Sequence, residues 1–184
     1  KKSLLKQLLY RQLTSLSLVF ADIYSVSSNS DYDFLKIKFL KKRKKQEVFL
    51  LPNWVDTATS EKIKFREETI ISVGRLETQK NYSFLIKEFS KISQNLIIYG
   101  KETKKLKLIN LAKKYKTNLE IIEQVDNKSL LIKLSNTKFF ILGSHFEGHP
   151  KALLEAMGAG CIVLASKISN HEEIIEDGVD GYLF

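Results

Sequence analysis

From Thr69 onward, the spacing of apolar positions switches back and forth between two periods. Short aliphatic and β-branched runs at Thr69–Val73, Leu96–Tyr99, Leu119–Ile122, Phe139–Leu142 and Ile162–Ala165 predict strands. Between them, Asn81–Ser93, Lys104–Tyr115, Lys128–Leu134 and Pro150–Ala159 read as amphipathic helices. In the first of these, Phe84, Leu85, Phe89 and Ile92 recur at helical spacing, while Lys87, Glu88 and Lys91 take the other side. Strands and helices taking turns argue for the α/β class: an open parallel sheet with helices on both faces.

The first 50 residues do not share this register. A basic helix from Lys1 to about Leu16, a short strand Ile23–Ser27 and a helix Tyr32–Leu40 lead through "KKRKK" (Lys41–Lys45) to "VFLLPNWVD". The Pro52-Asn53 pair breaks the periodicity and reads as a connection between domains, with Trp54 packing at it. The expected division is therefore 1–47 for the end of one domain, 48–68 for a linker and domain entry, and 69–184 for a second domain. The chain opens without methionine and stops at "DGYLF", where a strand begins, so it reads as a piece of a longer protein.

Composition narrows the class. With 43% hydrophobic and 28% charged residues the chain can bury a core, which sets it apart from disordered sequences. One cysteine, Cys161, cannot form an internal disulfide, which fits a reducing cytoplasm. No apolar run approaches the roughly 18 residues of a membrane span. The net charge of +9 is local: residues 1–52 hold 11 Lys/Arg against 4 Asp/Glu, whereas 53–184 hold 19 against 17. "KKRKK" has no interleaved aromatic and no nucleic-acid module around it, so nucleic acid is not an expected partner. A solvated loop is one reading of it, and peripheral contact with an anionic membrane is the other.

Candidate chemistry gathers where strands end. In open α/β sheets ligands bind outside the carboxyl ends of the strands, where loops and helix amino termini converge. Gly74 and Arg75 follow Val73, Gly100 follows Tyr99, and the Gly143–Pro150 loop follows Leu142. Arg75 and Lys80 flank a loop before a helix and suit a phosphate or diphosphate, or are ordinary surface charges. Gly100 stands in a ligand loop or in a plain tight turn. Glu147 is a solvated loop carboxylate or a site residue; Pro150, a natural first helical residue, aims the positive end of the helix dipole at its loop. Glu155 pairs with Lys151 at i, i+4, in the weaker orientation, or serves a ligand. His145, His149 and His171 lack metal-site spacing, so no metal is expected. "DYD" (Asp31–Asp33) reads as a capped turn and "EDGVDG" (Glu176–Gly181) as a helix stop and turn.

Taken in order, "ISVGRLETQKNYSFLIKEF" (71–89), "SHFEGHPKALLEAMGAGCIVLAS" (144–166) and "EIIEDGVDGYLF" (173–184) resemble the carboxy-terminal half of retaining glycosyltransferases of family 4. "ADIYSVSSNS" and "FLLPNWVDT" resemble the end of the preceding acceptor domain and its linker. The resemblance implies a GT-B architecture of two Rossmann-like domains facing a cleft, with residues 1–47 a remnant of the first and 69–184 the donor-binding second. It implies that Arg75 and Lys80 bind the donor diphosphate, each affecting binding more than unfolding. Glu147 falls near the transferred sugar in a catalytic position, and Glu155 at the ribose hydroxyls. Gly74 and the Gly148, His149, Pro150 and Lys151 backbone would complete the donor site.

The implied activity is transfer from a nucleotide-diphosphate sugar to a glycan or lipid-linked acceptor, without cofactor or metal, in the cytoplasm or at the inner membrane face. This chain alone is expected to bind donor without transferring it. A sugar-nucleotide epimerase of the same fold and a non-catalytic nucleotide-sugar binding or partner module are the alternatives. The sequence departs from the family pattern at Lys101-Glu102-Thr103 and in "IIEQV" around Glu123, where glycines are usual, so no base contact is carried over to Gln124 or Val125.

Overall fold

A computed structural model of the chain describes residues 20–37, 46–55, 66–101, 104–123 and 125–184, with isolated positions 9, 12, 13 and 16 before them. All but those four positions of the expected basic helix lie outside the described residues, as do the Lys41–Lys45 run, Glu102, Thr103 and Gln124. Two compact units result, Lys1–Pro52 and Asn53–Phe184.

The first unit is built on β1 (Ile23–Val26), α1 (Asn29–Leu35) and β2 (Glu47–Leu50), with β1 and β2 paired in parallel. Helix α1 starts earlier than periodicity suggests because Ser28 caps it. The Ser28 hydroxyl accepts from the Asp31 amide at 3.2 Å and donates to the Asp31 carboxylate at 2.9 Å, which makes "DYD" a capped turn. Strand β2 falls largely where a linker is expected. Its order comes from the main chain, which a side-chain pattern does not report: the Glu47 and Leu51 amides donate to Asp22 and Val26 carbonyls at 3.0 and 2.7 Å.

In the second unit the elements run β3 (Glu67–Val73), a 3₁₀ turn (Thr78–Lys80), α2 (Tyr82–Phe89), β4 (Leu96–Tyr99), α3 (Lys105–Tyr115), β5 (Leu119–Ile122), α4 (Asn127–Ser135), β6 (Thr137–Leu142), α5 (Lys151–Gly158), β7 (Ile162–Ala165), α6 (Ser169–Glu172) and β8 (Tyr182–Leu183). The sheet is parallel throughout, in the order β5-β4-β3-β6-β7-β8. From β3 the chain winds outward to β5, then returns through α4 to β6 on the other flank of β3. The winding direction reverses between β3 and β6, and a crevice at their carboxyl ends follows from that reversal.

Alternate strand residues feed two cores. Ile71, Tyr99, Phe140, Leu142 and Val163 pack with Leu130, Leu134, Leu153 and Ala156 of α4 and α5. Leu96, Ile98 and Ile141 pack with Tyr82, Leu85, Ile86, Leu108 and Ala112 of α2 and α3. Helices thus cover both faces, as the alternation predicts.

Three strands match their expected bounds. Strands β3 and β6 each start two residues early, at the mutually paired and mostly polar Glu67 and Thr137. Pro150 is not the first residue of α5: at φ −73° and ψ 92° it is extended and stands as the cap, with Lys151 opening the helix. Trp54, expected to pack at the connection, is 77% exposed. In "EDGVDG", Asp180 accepts from the Glu176 amide at 2.8 Å and Asp177 from the Leu183 amide at 2.9 Å, so both carboxylates serve the turn before β8.

Candidate functional site

At the carboxyl ends of β3 and β4 the backbone is drawn together. A Cβ at Gly100 would lie 2.1 Å from the Gly74 carbonyl oxygen, so only glycine lets the strands meet there. Gly74 itself takes φ +156°, and a Cβ on it would come within 2.7 Å of Lys80 Cε. These two glycines floor a cleft of about 490 Å³ whose walls include Arg75, Tyr99, Val125 and Asn127. Val125 also lines the cleft.

The two expected phosphate cations occupy different environments. Arg75 is exposed at the cleft, its guanidinium 3.6 Å from Glu77. Lys80 is not a surface charge. Its stem runs over Gly74 and its ammonium donates to Glu147 Oε1 at 2.6 Å, with only 13% of the Lys80 side chain and 8% of the Glu147 side chain exposed. Removing either partner would strand a buried charge, so Lys80 bears on unfolding, where the sequence led us to expect little effect.

Glu147 is fixed from several directions. The Ser144 hydroxyl donates to the same Oε1. Gln79 ties the 3₁₀ turn to this loop: its side-chain amide donates to the Phe146 carbonyl at 2.8 Å and its carbonyl accepts from the His145 amide at 2.9 Å. From α6, Asn170 donates to the Gly148 carbonyl at 2.6 Å. Asn53 donates through its side chain to the His149 carbonyl at 2.7 Å and through its amide to His149 Nδ1 at 3.2 Å. Gly148 itself has open space where a side chain would stand.

His171 lies beneath this loop, fully buried, with Nδ1 2.7 Å from the Ser166 carbonyl and Nε2 without a partner. Burial holds its pKa below the ordinary value, so the neutral ring with its proton on Nδ1 is the native form. The Ser166 hydroxyl in turn donates to the Ser144 carbonyl at 2.6 Å, linking the ends of β6 and β7 under Glu147.

Glu155 lies one turn into α5, its side chain 7% exposed. The Lys151 ion pair is present at 3.4 Å, but a shorter contact comes from α4, where Asn127 Nδ2 donates to Glu155 Oε1 at 2.8 Å. Asn127, Asn170, Ser144 and His171 are the residues that sequence reasoning leaves out of the site. Asn127 and Asn170 act from 28 and 22 residues away on elements they do not belong to, and none of the four stands out by periodicity. Among the described residues no group of three or more His, Cys, Asp or Glu could hold a metal ion.

A family profile described as "Glycosyl transferases group 1" matches residues 56–184. The chain belongs to that family. Its similarity to the Campylobacter jejuni N-acetylgalactosamine-N,N'-diacetylbacillosaminyl-diphospho-undecaprenol 4-alpha-N-acetylgalactosaminyltransferase is 26% identity over 190 residues, covering 99% of this chain and 52% of that protein. To the Staphylococcus aureus capsular polysaccharide biosynthesis glycosyltransferase CapH it is 27% over 162 residues, covering 83% and 44%. The chain thus spans about half the length of the curated relatives it matches. Among solved structures, the pneumococcal O-GlcNAc transferase GtfA in complex with UDP and GlcNAc superposes with a TM-score of 0.79 at 21% identity, over 89% of this chain and 34% of that one. The expected GT-B, Rossmann-like fold is therefore the fold this group 1 chain adopts.

Proposed function

We propose that this chain supplies the donor half of a retaining glycosyltransferase, binding a nucleotide-diphosphate sugar that the whole enzyme passes to a glycan or lipid-linked acceptor. One juxtaposition carries the reading: the buried Lys80–Glu147 pair stands at the ends of β3 and β6, beside a cleft with Arg75 on its wall and with Glu155 on the helix that follows. The nucleoside lies in the cleft over the Gly74 and Gly100 backbone, and Glu155 accepts hydrogen bonds from its ribose hydroxyls. The diphosphate lies toward Arg75, Lys80 and the amino end of α5. An ammonium has three donors, so Lys80 bound to Glu147 keeps two for phosphate oxygens. Glu147, with the Gly148, His149, Pro150 and Lys151 backbone, faces the sugar.

In the transfer, the bond from the anomeric carbon to the diphosphate oxygen breaks with its electron pair leaving on phosphate. The acceptor hydroxyl oxygen forms the new bond and gives up its proton to an oxygen of the departing diphosphate. Negative charge growing on the leaving group is met by two cations and oriented amides already in place. A carboxylate near the anomeric carbon stabilises positive charge developing on the ring, and no cofactor or metal enters this reading. Residues 1–47, 48–68 and 69–184 then read as the end of the acceptor domain, the linker and entry, and the donor domain. A lipid-linked acceptor is supported by the diphospho-undecaprenol named in the Campylobacter relative. It fits a cytoplasmic enzyme peripheral to an anionic inner membrane face, with the Lys41–Lys45 run as a contact.

Calorimetric titration of the chain with UDP, GDP and ADP and their sugars tests the reading. One nucleotide should bind, and Arg75→Ala should weaken it roughly tenfold, the usual contribution of a hydrogen bond to a charged group. Absence of binding by all three nucleotides overturns it.

A further inference from the structure

We infer that Asn127 is a positioning residue: it holds the Glu155 carboxylate in the orientation that receives the ribose, and so sets how strongly the site tells a ribonucleotide from one lacking those hydroxyls. The inference rests on the reading of Glu155 given above. Asn127 opens α4, and its place is fixed before any ligand arrives. Asp126 caps that helix twice, accepting from the Ser129 amide at 2.9 Å and from the Ser129 hydroxyl at 2.6 Å. Leu130 and Leu134 of α4 share a core with Leu153 and Ala156 of α5, which fixes the two helices against each other.

From that base Asn127 Nδ2 reaches Glu155 Oε1 at 2.8 Å, while the residue also forms part of the cleft wall. One short side chain thus touches both the carboxylate and the space the nucleoside fills. The other contact to Glu155, Lys151 at 3.4 Å, belongs to a side chain that is 58% exposed, long and screened by water. Both contacts fall on Oε1, which leaves Oε2 to accept from hydroxyls. An amide donor also differs from an ammonium in kind. It orients the carboxylate without neutralising it, so the full charge remains for ligand hydrogen bonds.

The test uses the tightest binder among UDP, GDP and ADP together with its 2′,3′-dideoxy counterpart, titrated against the parent chain, Asn127→Ala, Asn127→Asp and Glu155→Gln. Asn127→Ala should weaken the ribonucleotide about fivefold, the net value of one hydrogen bond, and the dideoxy form less than about twofold. Asn127→Asp keeps the size but faces one carboxylate with another, and should lower ribonucleotide affinity at least as much. The dideoxy form serves as the internal control for folding, since a variant that merely loosens the helix loses both ligands together. Equal effects on both nucleotides, or none, in the Asn127 variants while Glu155→Gln still separates the two ligands overturn the role of Asn127. If Glu155→Gln fails to separate them, the reading of Glu155 falls instead.

Discussion

Glu147 and Glu155 sit in one short stretch of chain, both side chains nearly buried, yet they are satisfied in opposite ways. Glu147 meets an ammonium that is itself buried, so the pair forms a closed charge balance inside the protein. Glu155 meets an amide and, at greater distance, a solvent-exposed lysine, so most of its charge is not cancelled. Burial alone therefore says little about what a carboxylate does. The nature of its partner decides how much of its charge is already balanced within the protein.

The largest effect expected from this difference is on stability. Lys80→Met leaves Glu147 buried without its counter-charge and should cost about 3 kcal/mol of unfolding free energy. Adding Glu147→Gln should return a large part of it, which urea denaturation of the single and double variants checks. Equal loss in both would mean the pair is not a coupled unit.

Next in size, Glu155→Gln should weaken the bare nucleotide roughly tenfold because charge-assisted hydrogen bonds are lost, while Glu147→Gln leaves bare-nucleotide affinity nearly intact and lowers turnover of the whole enzyme. Titration with nucleoside diphosphate and a turnover assay on each variant make the measurement; the reverse pattern would exchange the two roles. Arg75→Ala, at an exposed position, should shift unfolding by less than about 0.5 kcal/mol even where it weakens nucleotide binding, a contrast with Lys80 that one denaturation curve reveals.

The smallest effect belongs to the buried ring under Glu147. Its folded pKa is depressed below the ordinary 6.5, so the unfolded chain takes up the proton first as pH falls. The neutral ring's contribution is whole above that value and is lost on acidification, by at most about 0.7 kcal/mol between pH 7 and pH 6. His171→Gln should flatten that part of the stability profile, whatever it costs at neutral pH. An unchanged slope would place the proton uptake on another group.

Much of the fold was legible because its strands read as compact, mostly apolar runs. Leu96–Tyr99, Leu119–Ile122 and Ile162–Ala165 are bounded in the structure as their hydrophobicity bounds them. Legibility ended where order comes from main-chain pairing, as in β2, or where an element is too short for a period, as in α6 with four residues. In the site, Gly74, Arg75, Lys80, Glu147 and Glu155 stand out as unusual residues at strand ends. Their partners do not: Asn127 reaches Glu155 from 28 residues away and Lys80 reaches Glu147 from 67. Charges in a sequence show that something must be paired; only the topology shows with what.

The contact between Gly74 and Gly100 sets a limit on how this cleft can vary. With the Gly74 carbonyl 2.1 Å from where a Cβ at position 100 would stand, the floor is made of main chain and has no side chain to exchange. On the reading proposed above, a different nucleoside cannot be accommodated by carving or filling that floor. Selectivity has to be written on the walls, at positions such as Val125 and Asn127, where substitutions leave the two strands in contact. A library that randomises the walls and spares both glycines would search the specificities open to this scaffold, whereas one that includes position 100 would be spent largely on chains that fold poorly.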